Sequence, residues 1–193
     1  MKVAFVGSHG VRKTTAAFAL AAALRHRGVA TEVVHEVVRA NPLGLNERAT
    51  AEAQLWTLLT QVRLELELAQ RATVLVADRA IVDNYAYAIR AWAGRDPWSI
   101  EPFVREWARS YSLVVRLLPD VALEADGVRS VDPAFRADIE RLVDRLLPSF
   151  IEPTRLLTMP ASAVVQGADW TPLVARIEAM LAHGDSRPED VKA

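Results

Sequence analysis

The chain has 193 residues, a formal net charge of −1 and no cysteine, which excludes disulfides, thiolate zinc sites and a cysteine nucleophile. Its near-neutral charge gives no basic field of the kind a general nucleic-acid binder carries, and no apolar run approaches the roughly 20 residues of a membrane span. With no charged-then-apolar leader at the start, the expectation is a soluble cytoplasmic protein: one domain over residues 1–184, followed by a frayed tail at 185–193.

Val3 to Val6 is a short apolar run that stops at Gly7, and Gly7-Ser8-His9-Gly10-Val11-Arg12-Lys13-Thr14 then leads into an alanine-rich helix over Thr14–Arg27, ended by Gly28. Strand, loop and helix in this order is the context of a phosphate-binding loop, G-x-x-x-x-G-K-[ST]. In such a loop the backbone amides and helix N-terminus cradle phosphates, the lysine reaches the β/γ oxygens, and the hydroxyl holds Mg²⁺. The residues from Gly7 through Ser8, His9, Gly10, Val11, Arg12, Lys13 and Thr14 to Thr15 are therefore nucleotide-binding candidates. Lysine usage agrees, because apart from Lys2 and Lys192 at the two ends, Lys13 is the only lysine. Arg12 breaks the pattern, standing where the second glycine belongs. A side chain forced into left-handed backbone there costs about 1–3 kcal/mol, a roughly five- to hundredfold loss of ATP affinity if borne only on binding. The competing reading is an arginine supplied in cis to the phosphates.

Thr31–Val34 reads as a second strand, delivering His35-Glu36, and Asn41-Pro42 stops the irregular piece that carries Arg39. Strand, crossover helix and strand imply a parallel sheet with catalytic groups at the carboxyl ends of its strands. Asn46–Arg71 is the longest helical pattern, with Leu55, Trp56, Leu59, Val62, Leu66 and Ala69 expected on its core face. Gln54 and Gln61 share another face, where they either read a ring amide or are solvated. Thr73–Ala77 is a buried strand delivering Asp78-Arg79: the aspartate can hold Mg²⁺ through water or accept a proton, and the arginine can bind a phosphoryl oxygen. Asp83, Tyr85 and Tyr87 follow on a helix that runs through Arg90 and Trp92 to Gly94, the tyrosines being pocket walls or core. Ser99 is expected to cap a helix through Arg109, Leu113–Leu118 to be the fourth strand, and Ala134–Leu147 a further helix. Arg129 and Arg136 lie on a charged stretch, about 122–136, that reads as a lid closing over phosphates. The fifth strand is Arg155–Met159 or Ala163–Val165, and Trp170–His183 is the last helix.

Taken together, the loop Gly7–Thr14, Glu36-Val37-Val38-Arg39, Asp78-Arg79, and Leu118-Pro119-Asp120 through Asp126-Gly127-Val128-Arg129-Ser130 with Arg136 beyond resemble one group. This group is the small P-loop kinases of the AAA type that include the nicotinamide riboside kinase domain, with thymidylate and deoxynucleoside kinases as more distant relatives. The resemblance covers Lys2 to Phe150. It implies a three-layer α/β fold, a mainly parallel five-stranded sheet flanked by helices, with a short lid. It also implies ATP and Mg²⁺, the metal held by Thr14 and Asp78. Glu36 takes the place of the carboxylate on the acceptor hydroxyl, Arg39 and Arg79 those of substrate or phosphate contacts, and Arg129 and Arg136 those of lid arginines. Gln54, Gln61 and Tyr85 are acceptor-pocket candidates. The function expected is phosphoryl transfer to a hydroxyl of a small nucleoside-like or nucleotide-like molecule, with a possible homodimer. The alternative is a nucleotide-binding or regulatory module with weak turnover because of Arg12.

Overall fold

The computed structural model describes residues 1–44, 49–123 and 132–184, the side chain of Arg39 excepted. Strands β1 (Lys2–Val6), β2 (Thr31–Val34), β3 (Val74–Ala77), β4 (Leu113–Leu118) and β5 (Leu156–Pro160) form one parallel sheet in the order β2-β3-β1-β4-β5. Parallel neighbours need crossover connections, and α1 (Lys13–His26), α2 (Ala51–Ala69), α3 (Ile81–Ala91), α4 (Glu101–Ala108) and α5 (Pro133–Phe150) supply them, while α6 (Ala161–Val165) and α7 (Thr171–Ala182) follow β5. Among these described residues, no helix is long and apolar enough to cross a membrane.

The sheet is covered on both faces, which is why β3 and most of β1 and β4 are continuous apolar runs. Alternation along β1 sends Val3 and Phe5 into a core with Leu20, Leu24 and Ile177, while Ala4 and Val6 enter the opposite core with Ile81, Tyr85 and Ile139. Because β1 lies between β3 and β4, the loop that leaves it at Gly7 sits at the centre of the carboxyl edge, with Asp78 on one side. The first crossover ends as its sequence requires: Gly28 is left-handed (φ 80°), and Val29 N–H and Gly28 N–H donate to Leu24 O at 3.0 Å and Arg25 O at 2.9 Å.

Several boundaries differ from those read in the sequence. The fifth strand is Leu156–Pro160, parallel to β4, and Ala163–Val165 lies in α6. Helix α5 runs on to Phe150 through Pro148, since Phe135, Ile139, Val143, Leu147 and Phe150 keep burying one stripe and the missing N–H falls in the last turns. Ser99 does not cap α4. It is left-handed (φ 51°), and the Asp96 carboxylate accepts the Glu101 N–H at 2.9 Å instead, an anion being favoured at a helix N-terminus.

The largest difference is in α2, which begins at Ala51 behind a Thr50 cap and buries only Val62 of its expected core stripe, leaving Leu55, Trp56 and Ala69 partly buried. Leu59 and Leu66 are 51% and 55% exposed, and the buried side is Ala53, Thr57, Leu58, Gln61, Val62 and Glu65. The physical reason is the Glu65 carboxylate, which accepts from Lys2 Nζ (3.0 Å), Gln61 Nε2 (2.9 Å), Trp107 Nε1 (2.8 Å) and Tyr111 OH (2.6 Å). A buried acid satisfied in this way outweighs the apolar pattern on the other face. Replacing Glu65 by Leu should therefore destabilise the protein by about 3 kcal/mol or more despite the gain in hydrophobicity, because it strands those donors. Leu59→Gln should change stability by about 0.5 kcal/mol or less. Urea unfolding of both variants checks the ranking, and a more stable Glu65→Leu protein would contradict it.

Candidate functional site

The loop between β1 and α1 divides into two parts by where its amides go. Gly7 N–H donates to Asp83 Oδ1 (3.0 Å), Ser8 N–H to Glu140 Oε1 (3.0 Å) and His9 N–H to Tyr87 OH (3.0 Å), so side chains from α3 and α5 anchor the first turn. Among the described residues, the amides of Gly10, Val11, Lys13, Thr14 and Thr15 donate to no protein acceptor. An arc of open N–H groups at a helix N-terminus is an anion cradle. Glycine is needed at both ends of the bend: a Cβ on Gly7 (φ 149°) would lie 2.8 Å from Leu117 O, and one on Gly10 (φ 81°) 2.9 Å from Leu123 Cδ2. Arg12 occupies the left-handed conformation that its motif reserves for glycine, at φ 64° and ψ 26°.

Lys13 folds back over the loop. Its Nζ donates to Gly7 O and Ser8 O, both at 2.6 Å, and stands 4.0 Å from Asp83 Oδ2. Burial, with Arg79 nearby, lowers its pKa to about 8, and Asp83, Asp78 and Glu36 only partly offset this. One residue on, Thr14 Oγ1 donates to Asp78 Oδ2 at 2.6 Å. Burial raises the pKa of Asp78 against the lowering influence of Thr14 and Lys13, and does the same to Asp83 against Lys13 and Arg79. A hydroxyl and a carboxylate that meet beside the cradle are hard oxygen donors suited to Mg²⁺. Among the described residues no group of three or more His, Asp or Glu side chains is placed to hold a metal, so an ion here would rely on this pair, water and phosphate.

The third strand also delivers Arg79, whose Nη2 and Nε donate to Glu36 Oε1 at 2.6 and 3.1 Å and whose guanidinium lies 4.8 Å from the Tyr87 ring centroid. Burial disfavours its charge, but Glu36 and the surrounding phenol and carboxyl groups raise its pKa. From α5, Arg136 Nε donates to Ser8 Oγ (3.3 Å) and Nη1 to Val121 O (2.9 Å), while its Nη2 is buried without a partner among the described residues.

The structure thus brings Lys13, Thr14, Asp78, Glu36, Arg79 and Arg136 to one edge. Arg129 lies outside the described residues, as does most of the expected lid, and Arg39 is placed only as backbone in a single turn of 3-10 helix, Val38–Ala40. Gln61 does not reach this edge with its amide: Nε2 is spent on Glu65 and on Arg79 O (3.1 Å). Tyr85 packs on Trp92 and Phe150 with its hydroxyl 3.5 Å from Glu101 Oε2, and Gln54 is half-buried. Sequence reasoning gave no role to Asp83, Asn84, Arg116 or Glu140. Asp83 carried a signal, being spaced five residues beyond Asp78 at the start of a helix. Asn84 carried none, yet it is 1% exposed, and neither amide atom has a partner among the described residues. Arg116 carried one too: a charge inside a buried strand must have an anionic partner.

A search of curated proteins finds no sequence match. Among solved structures the chain is similar to deoxyadenosine kinase from M. mycoides with dCMP and dCDP bound, at TM-score 0.58 and 14% identity, covering 95% of this chain and 100% of that one. The same enzyme with dATP gives 0.57 and 14%, with 94% and 99% covered. NadR in complex with NAD and AMP-PNP gives 0.59 and 13%, covering 100% of this chain but 51% of that one, so this chain corresponds to about half of NadR. At such identities the likeness speaks for the fold, which is that of a P-loop kinase. A family profile for the AAA domain matches residues 2–157. With that profile spanning most of its length, and a strand, phosphate loop and helix at the head of a five-stranded parallel sheet, the chain belongs to the AAA domain family.

Proposed function

We propose that this protein is an ATP-dependent kinase that transfers a phosphoryl group to a hydroxyl of a small nucleoside-like or nucleotide-like acceptor. The observation that carries the reading is the convergence, at one sheet edge, of the open amide arc with Lys13, the Thr14–Asp78 pair and the Glu36–Arg79 pair. Phosphoryl transfer needs chiefly positioning and charge neutralisation. The open amides and Lys13 bind the β/γ oxygens, the lysine exchanging its two loop carbonyls for phosphate. Thr14 and Asp78 would hold Mg²⁺, which when bound neutralises charge on the polyphosphate. Glu36 orients the acceptor hydroxyl and takes its proton, Arg79 steers a phosphoryl oxygen, and Arg136 adds a cation from the lid side. Asn84 offers a donor and an acceptor side by side, suited to a ring edge or carboxamide. The nucleotides bound in the neighbouring structures support an acceptor of this class.

The test is release of ADP from Mg-ATP across a panel of nucleosides, nucleotides and vitamin precursors. Acceptor-dependent ADP is expected, abolished in Lys13→Ala. Glu36→Gln should lower transfer by about 10²–10⁴-fold and leave ATP affinity nearly unchanged. ADP release that ignores every acceptor would instead support the second reading, a nucleotide-binding or regulatory module.

Lys13 also gives a pH signature. A lysine whose pKa falls to about 8 on folding from an ordinary 10.5 disfavours the fold below that window, and stability recovers as pH rises through it. Polyphosphate favours the ammonium, so Mg-ATP binding should take up close to one proton near pH 9 and almost none at pH 7, with affinity falling up to about tenfold per unit above pH 8. Calorimetry in buffers of different ionisation enthalpy measures this, and Lys13→Met should abolish the uptake.

The second reading rests on Arg12, and the structure moves its cost. Because Arg12 holds left-handed backbone in the folded loop (φ 64°, ψ 26°), we take the strain to be borne on folding rather than on binding. Arg12→Gly should accordingly raise stability by about 1 kcal/mol, net of glycine's greater unfolded-state entropy, and leave ATP affinity within about twofold. Denaturation and ATP titration of both proteins check this. A large loss of turnover in the variant would mark the guanidinium as a catalytic group.

A further inference from the structure

Two charges beside the loop, buried Arg116 and partly buried Glu140, have no part in the chemistry proposed above. Arg116, on β4, is 4% exposed; Nη1 donates to Leu117 O at 2.8 Å, and Nη2 and Nε to Asp144 Oδ1 at 2.9 and 3.3 Å. Its Nη2 also donates to Glu140 Oε2, and its Nη1 is 2.9 Å from where a Cβ on Gly7 would lie. Glu140 spends its other oxygen on the loop, accepting Ser8 N–H at 3.0 Å. One turn earlier on α5, Arg136 donates to the hydroxyl of the same serine.

The geometry points to Glu140 as a positioning residue that fixes the loop's first turn to α5, so that the amides from Gly10 onward face the polyphosphate and Arg136 travels with the loop as one body. A plain core ion pair would not need it. Arg116 already has Asp144, whose side chain is 65% exposed and free to follow it, whereas Glu140 is the member of the trio that reaches Ser8. A carboxylate suits the task because its two oxygens can serve an amide and a guanidinium in different directions. Burial raises the pKa of Glu140, but Arg116 and Ser8 more than reverse this, so the acceptor stays ionised. For its affinity arm alone, this assignment rests on the nucleotide reading above.

The test separates the amide acceptor from the charge pair. In an Arg116→Met background no buried cation is left unpaired, and two proteins are compared: one with Glu140→Gln, which keeps a carbonyl for Ser8 N–H, and one with Glu140→Met, which does not. Amide exchange by NMR without nucleotide should leave Ser8 protected in the glutamine protein, to within about threefold of the wild type, and make it exchange about tenfold faster or more in the methionine protein. Mg-ATP affinity should follow the same order, near wild type in the first and about tenfold weaker in the second. A single Glu140→Asp protein, which keeps the charge but withdraws the oxygen by one methylene, should resemble the methionine protein at Ser8. Equal Ser8 exchange in the two double variants, or wild-type exchange in Glu140→Asp, overturns the assignment. If the wild type binds no Mg-ATP, the nucleotide reading fails, and Ser8 exchange still decides the role of Glu140.

Discussion

Everything at the carboxyl edge depends on how a turn without regular hydrogen bonding satisfies its own amides. Between β1 and α1 the backbone leaves the sheet ladder at Gly7 and enters the helix at Lys13, and no repeating pattern serves the groups in between. Side chains from α3 and α5 serve the first of them, leaving the later amides open and aligned. That division holds a glycine-bearing segment in one conformation, which the kinase proposed above would use as a preorganised anion site. A loop free to relax would lose part of any anion affinity to the entropy of ordering it.

The same economy governs Arg79. Its guanidinium faces Glu36 and Tyr87, while its carbonyl is held from behind by Gln61. The next peptide is held as well, Ile81 N–H donating to Tyr111 OH at 2.9 Å. Gln61 and Tyr111 both end on Glu65, so one buried carboxylate stakes the start of α3 from its protected side. The side chains proposed to meet a ligand are few, and the bonds that keep Arg79 and the start of α3 in place reach across the sheet to Lys2.

Much of this was legible in the sequence, for physical reasons. Apolar runs that stop at Gly7, Asp78 and Pro119 can only be buried parallel strands, and Lys13 beside Thr14 after a glycine-bearing bend has few other uses. What was illegible has equally definite causes. The buried face of α2 carries Gln61 and Glu65 because their hydrogen-bond partners lie on distant elements, and hydrophobic periodicity cannot see partners 42 or 46 residues away. Ser99 looks like a cap by type, but the Asp96 carboxylate wins the contest for Glu101 N–H. Glu140 and Arg136 sit one helical turn apart on α5, and only the fold reveals that both end on Ser8, 132 and 128 residues earlier in the chain.

Those separations bear on how the molecule assembles. Central β1 finds its two neighbours in β3 and β4, and the bonds that finish the loop span 76, 78 and 132 residues. Closing such long loops brings entropic loss before any contact rewards it. The loop is thus completed only when α3 and α5 have both docked against it. A ligand of the kind proposed above, seated there, would distinguish the finished protein from partly folded forms, its binding energy adding to the stability of the finished form alone.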